Sequence, residues 1–232
     1  MSDATPRPGS RLLDLVEVMD RLRSPGGCPW DAEQTHASLV EYLVEEAYET
    51  VEAIETSDDA ALREELGDLL LQVVFHARIA QEHESPWSID DVADGIVTKL
   101  VSRHPHVFGD VDAATADDVE RNWAALKKAE KGRESITDGV PSSLPALVLA
   151  AKLLSRARSL DVPAATPLAG GAAADAVAAL TASGVSREGA YGDLLLALVV
   201  AARSDGVDAE QALRGAVRDY RARVRAAEGL AI

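Results

Sequence analysis

Apolar residues along the chain recur at three- and four-residue intervals, and no long stretch alternates apolar with polar, so helix is predicted throughout. The helices run from about Arg11 to Arg23, Thr35 to Glu55, Ala60 to Glu82, Ser88 or Asp90 to Arg103, and Ala116 to Lys131. Three more follow, from Ala146 to Ser159, Arg187 to Arg203 and Asp208 to Ala227. Gly and Pro mark the breaks: S-P-G-G-C-P-W-D after the first helix, Ser85-Pro86 after the third, H-P-H-V-F-G after the fourth. Thr56 to Asp59 interrupts the pattern and offers N-caps for the third helix. The reading is an all-α protein. Residues 1–10 form a Pro/Gly/Ser tail, 11–134 a first helical domain, and 135–232 a second region with an Ala/Gly/Pro-rich linker after its first helix.

The third helix raises a question of its own. Leu62, Leu66, Leu69, Leu70, Leu71, Val73, Val74 and Phe75 cover most of its directions, which predicts burial. Yet Glu65, Asp68, Gln72 and His76 make one polar stripe at about 100° per residue. A buried carboxylate needs a partner or a cation, because desolvation of its charge is costly. On the second helix Val40, Val44, Ala47, Val51 and Ile54 form the main apolar stripe, while Glu46 and Glu49 share another with Leu39, Tyr42 and Ala53. Glu45 lies nearby, and Glu41, Glu52 and Glu55 point further away.

The break at Ser57-Asp58 is too short for anything but an antiparallel return. Counting outward from it, Glu49 and Glu46 come level with Glu65 and Asp68. Each pair is spaced i, i+3 and projects from one side of its helix. Four carboxylates so placed repel one another unless a cation sits among them. An all-oxygen donor set selects Mg²⁺, Mn²⁺ or Ca²⁺, whereas zinc calls for His or Cys. A di-iron bundle needs Glu-x-x-His from two helices, and the chain spells it once, Glu33 to His36. On spacing alone, ion pairing with Arg63, Arg78 or Lys99 is the competing arrangement.

Charge narrows the choice of ligand. The 232 residues carry 39 acidic and 23 basic side chains, a net charge of −16. That excludes a nucleic-acid backbone and an anionic membrane surface as partners, since both require a basic face. An anionic ligand would need a metal ion to bring it in. The single cysteine, Cys28, permits no intrachain disulfide, and neither a signal peptide nor a membrane-length apolar run is seen, so a cytoplasmic protein is expected.

The chain also echoes itself. G-D-L-L-L-Q-V-V-F-H-A-R from Gly67 and G-D-L-L-L-A-L-V-V-A-A-R from Gly192 agree in most letters, and each precedes another amphipathic helix. A duplicated domain is the reading.

Glu45-Glu46-x-x-Glu49 followed by Glu65-x-x-Asp68 resembles the signature of the all-α nucleoside triphosphate pyrophosphohydrolases. The chain resembles their MazG family in particular. The shared segments, in order, are C-P-W-D-A-E-Q-T (Cys28 to Thr35), E-L-G-D-L-L (Glu65 to Leu70), R-H-P-H-V-F (Arg103 to Phe108) and N-W-A-A-L-K-K-A-E-K (Asn122 to Lys131). The resemblance is dense from Leu12 to Arg133 and loose beyond. It implies a Mg²⁺-dependent (Mn²⁺ also suits the donors) cleavage of nucleoside triphosphates to monophosphate and pyrophosphate by a homodimer or higher homo-oligomer. By carry-over Glu46, Glu49, Glu65 and Asp68 are the metal ligands. Glu45 is a further catalytic candidate, binding a second ion or orienting the attacking water. Lys99, Arg103 and Lys127 are candidates for the phosphates, with Lys128 and Lys131 beside them, and Trp30 and Trp123 for the base.

The second copy departs from the motif. It keeps Asp193, but Ala190 stands at the position of Glu65, and the positions of Glu46 and Glu49 fall in the linker. A degenerate, non-catalytic repeat is therefore expected. Two other readings stay open at this level: a helical interaction module without chemistry, and a related pyrophosphohydrolase with a narrower substrate. Four carboxylates with no other evident reason to converge favour the enzyme.

Overall fold

The structure, a computed structural model, describes residues 7–109, 115, 135, 137–158, 160, 180 and 186–227. The predicted helix from Ala116 to Lys131 lies outside these residues, and with it Trp123 and Lys127. The described residues contain helices and no strand. Two compact units, residues 1–127 and 128–232, divide the chain.

In the first unit α1 (Ser10–Arg23), α2 (Pro29–Glu33), α3 (Val40–Thr56), α4 (Asp59–Ala80), α5 (Ile89–Arg103) and α6 (Pro105–Phe108) follow in order. Two short helices, α2 and α6, occupy segments predicted as loops. In each a proline opens the first turn, where its missing N–H costs nothing. Residues 34–39 form turns, so the helix predicted from Thr35 begins only at Val40.

The closest packing is between α3 and α4. Ser57 takes a left-handed conformation (φ 58°), and the Asp58 side chain accepts from the N–H groups of Ala60 and Ala61, which caps α4. The two-residue link folds α4 back along α3, as the spacing predicts. The core is Met19, Leu39, Val74, Phe75 and Ile79, with Leu15, Val16, Leu22, Tyr42, Leu71 and Ile89 packed against it. It joins α1 to the later half of α4, leaving the half nearer the hairpin turn thinly covered.

Two expectations about burial change here. Leu66 and Val73 are 51% and 43% exposed, so α4 is not covered on every side in a single chain. On α3 the main apolar stripe faces outward: Val40, Val44, Val51 and Ile54 are exposed, while Thr50 and Ala53 are the buried positions. The glutamate-bearing side of α3, not its most apolar side, meets α4.

In the second unit α7 (Ala146–Ala157), α8 (Arg187–Ser204) and α9 (Ala209–Ala227) pack on one another. α8 packs on α7 as α4 packs on α1, and leads into α9 as α4 leads into α5. Among the described residues, no helix is long and apolar enough to cross a membrane.

Candidate metal and nucleotide site

Helical spacing aims Glu46 and Glu49 from α3 and Glu65 and Asp68 from α4 into the seam between the two helices. One carboxylate oxygen each from Glu46, Glu49 and Glu65 falls within a group no wider than 4.8 Å. Glu46 and Glu65 are half-buried and Glu49 exposed. Asp68, half-buried one turn along α4, stands outside that tight group, but its charge acts on both Glu46 and Glu65. Glu45 is exposed and also outside the group.

Crowding shows in the titration of the site. Burial first, then the charges of Asp68 and Glu49, push the Glu46 carboxyl above its ordinary range. Burial again leads for Glu65, followed by Glu49, Asp68 and Glu64, and the shift is again upward. Glu49 contributes to both upward shifts, as a close carboxylate neighbour of Glu46 and of Glu65.

A cation among these carboxylates would offset their mutual repulsion. The salt-bridge alternative is not realised: Arg78 pairs with Asp20 and Glu82, and no described ion pair joins Arg63 or Lys99 to the group. Three converging oxygens with a fourth carboxylate adjacent suit a hard divalent ion. No described His or Cys belongs to the group, which does not suit zinc. His36, from the Glu33–His36 spelling, turns elsewhere. Its Nδ1 meets Nδ1 of His76 at 2.7 Å, and its ring stacks on His76 and Trp87. Burial, then the neighbouring His36, lowers the His76 pKa, so the pair is held with a neutral ring accepting.

Next to the carboxylates is an aromatic corner. Trp30 is 50% exposed and sits edge-on to Tyr42 and Phe75, with ring centroids 6.0 and 6.5 Å away. Tyr42 is one turn before Glu46 on the same stripe of α3. Lys99 is exposed on α5, whereas Arg103, four residues on, is only 5% exposed. Sequence reasoning did not foresee Arg23, buried at the end of α1. Its signal was a charged residue on the core-facing side of α1, four residues after Met19.

Among the described residues of the second unit there is no such group. Ala190 is buried and Asp193 exposed on α8.

An all-α unit with a two-helix carboxylate seam beside an exposed indole is the architecture of a metal-assisted phosphoanhydride hydrolase. Residues 34–108 match the model of the MazG nucleotide pyrophosphohydrolase domain. The chain is 54% identical over 224 residues to an uncharacterised 26.1 kDa protein of Streptomyces cacaoi, covering 96% of this chain and 84% of that one. It is 42% identical to the nucleoside triphosphate pyrophosphohydrolase of Mycobacterium tuberculosis, covering 95% of this chain but only 59% of the relative. Its identity to the Escherichia coli nucleoside triphosphate pyrophosphohydrolase is 39%, covering 92% and 86%. The chain belongs to the MazG nucleoside triphosphate pyrophosphohydrolase family.

Proposed function

We propose that this chain, a nucleoside triphosphate pyrophosphohydrolase by family, cuts between the α- and β-phosphates to give a monophosphate and pyrophosphate, in the service of nucleotide-pool house-cleaning. The observation that carries the reading is the convergence of Glu46, Glu49 and Glu65 within 4.8 Å, with Asp68 adjoining. These four residues would hold Mg²⁺, or Mn²⁺ in its place. When bound, the ion offsets phosphate charge and acidifies a coordinated water, a contribution a protein of charge −16 needs before it can accept a triphosphate. Glu45, exposed beside the seam, is the candidate for orienting the attacking water. Lys99, exposed on α5, is the candidate to meet phosphate charge from solvent. Arg103, buried at the end of α5, is the second candidate for the phosphates. Trp30 offers its indole to the base. Trp123 and Lys127 enter on the family motif alone.

The assembly we propose is a homodimer in the cytoplasm. Val44, Tyr48, Val51 and Ile54 expose an apolar face along α3 that a second copy would cover. The second unit, lacking the carboxylate group, would be non-catalytic and support that assembly. ³¹P NMR of a panel of ribo- and deoxyribonucleoside triphosphates with Mg²⁺ tests the cut. Equal amounts of monophosphate and pyrophosphate are expected; orthophosphate with diphosphate would place the cut elsewhere and contradict the proposal.

A further inference from the structure

Arg23 ends α1 with a side chain only 4% exposed, and its guanidinium reaches three parts of the first unit at once. Nη1 donates to the carbonyls of Asp31 and Gln34, the latter at 3.0 Å, at the C-terminal end of α2. Nε and Nη2 form a fork to the Glu82 carboxylate just past α4, at 3.2 and 2.8 Å. The guanidinium carbon also lies 5.7 Å from the centroid of Phe75, the ring against which Trp30 stands edge-on.

These contacts converge on the segment that carries Trp30. A five-residue helix cannot hold itself in water, and its last carbonyls have no partner within it. Arg23 supplies that partner, and its other side is tied to α4 through Glu82. Arg78 also binds Glu82 at 2.8 Å and reaches Asp20 at 2.7 Å, so the clamp is braced back to α1. The guanidinium holds the Glu82 carboxyl below its ordinary range, the sign of an engaged acceptor. The path from α1 to α2 is equally constrained. Cys28 N–H donates to the Leu22 carbonyl at 2.8 Å, and a Cβ on Gly27 would overlap the carbonyls of Arg21 and Leu22.

We propose that Arg23 is a positioning residue for nucleotide recognition: by clamping the C-terminal end of α2 to the end of α4, it sets Trp30 as the wall against which the base packs. This rests on the reading that the site takes a nucleoside triphosphate. The planar five-donor fork is required, because an ammonium, with three donors on one nitrogen, cannot reach all four acceptors, two carbonyl oxygens on one side and both Glu82 oxygens on the other.

The test is a double-mutant cycle on KM and kcat, using Arg23→Gln, Trp30→Ala and the double variant with Mg²⁺ and the best nucleoside triphosphate. Arg23→Gln is expected to raise KM about tenfold with kcat within about threefold, because the carboxylate seam is untouched. Trp30→Ala is expected to raise KM similarly. In the Trp30→Ala background, Arg23→Gln should change KM by less than about twofold, since its means of action is gone. Glu82→Gln keeps acceptors for the fork and should shift KM less than Arg23→Gln does. If Arg23→Gln fails to fold, Arg23→Lys carries the same cycle. Independent, multiplying effects of the two substitutions would overturn the clamp, as would an unchanged KM in Trp30→Ala. Absence of turnover by the wild type on any triphosphate would instead overturn the functional reading beneath it.

Discussion

The helix that holds Glu65 and Asp68 and the helix that holds Asp193 share the run Gly-Asp-Leu-Leu-Leu, and each ends on an arginine that reaches back to an earlier helix. Arg78 meets Asp20 on α1, and Arg203 donates to the Ala151 carbonyl on α7 at 3.0 Å. Their packing order matches as well. What separates them is the set of carboxylates. α4 is faced by α3, which brings Glu46 and Glu49 to Glu65, whereas Ala190 occupies the equivalent place on α8. The shared letters therefore encode a way of packing. The carboxylates are a few residues added to that packing, and the second copy keeps only Asp193 of the Glu65–Asp68 pair.

This contrast can be broken by mutation. The largest expected effect is from Glu65→Gln, which leaves the helix and its apolar face intact but removes a ligand; turnover should fall on the order of a thousandfold. Circular dichroism should show unchanged helix content. Chelation of divalent ions with EDTA should abolish activity, with recovery on adding Mg²⁺, and Mg²⁺ should raise the melting temperature of the wild type but not of Glu65→Gln. A residual rate in chelator within tenfold of the Mg²⁺ rate would argue against a metal-held substrate.

A smaller effect concerns pH. Glu46 and Glu65 have raised pKa values in the metal-free fold, so the folded chain binds more protons than the unfolded one. Its stability should therefore fall as pH rises from the ordinary glutamate range through the raised folded values. His76, lowered by burial, contributes the opposite slope: stability is lost as pH falls from the ordinary histidine value toward the lowered one. Denaturant melts in EDTA, taken as wild type minus Glu65→Gln, isolate the carboxylate part. That difference should become less favourable to the wild type as pH rises. The smallest effect should come from Asp193→Asn, exposed on α8 and outside the carboxylate group, with turnover within about twofold of wild type. A loss as large as that of Glu65→Gln would mean the second unit is part of the site.

The hairpin was legible in the sequence because Ser57-Asp58 leaves room for no other connection, and the carboxylate register follows from helical geometry once the turn is placed. Asp68 was less so, because a register count cannot say which of four carboxylates lies a turn away from the tightest group. The orientation of α3 was not legible. Its most apolar stripe points outward, and a hydrophobic pattern cannot distinguish that from a core-facing side. Arg23 was hidden for another reason: a buried guanidinium is recognised by the carbonyls it serves, and those come from a loop whose path only the fold fixes. Lys99 and Arg103 share a helix face by spacing, yet the end of α5 buries one and leaves the other in water.

The central claim is that the reaction depends on the α3–α4 carboxylate group, and one measurement addresses it most directly: the rate of pyrophosphate release with Mg²⁺ by wild type and Glu49→Gln. Glu49 is exposed and one of its carboxylate oxygens lies within 4.8 Å of oxygens of Glu46 and Glu65, so its replacement removes a proposed ligand without disturbing the core. Pyrophosphate from the wild type and a loss on the order of a thousandfold in the variant is the predicted result. A folded Glu49→Gln protein releasing pyrophosphate at the wild-type rate would contradict it.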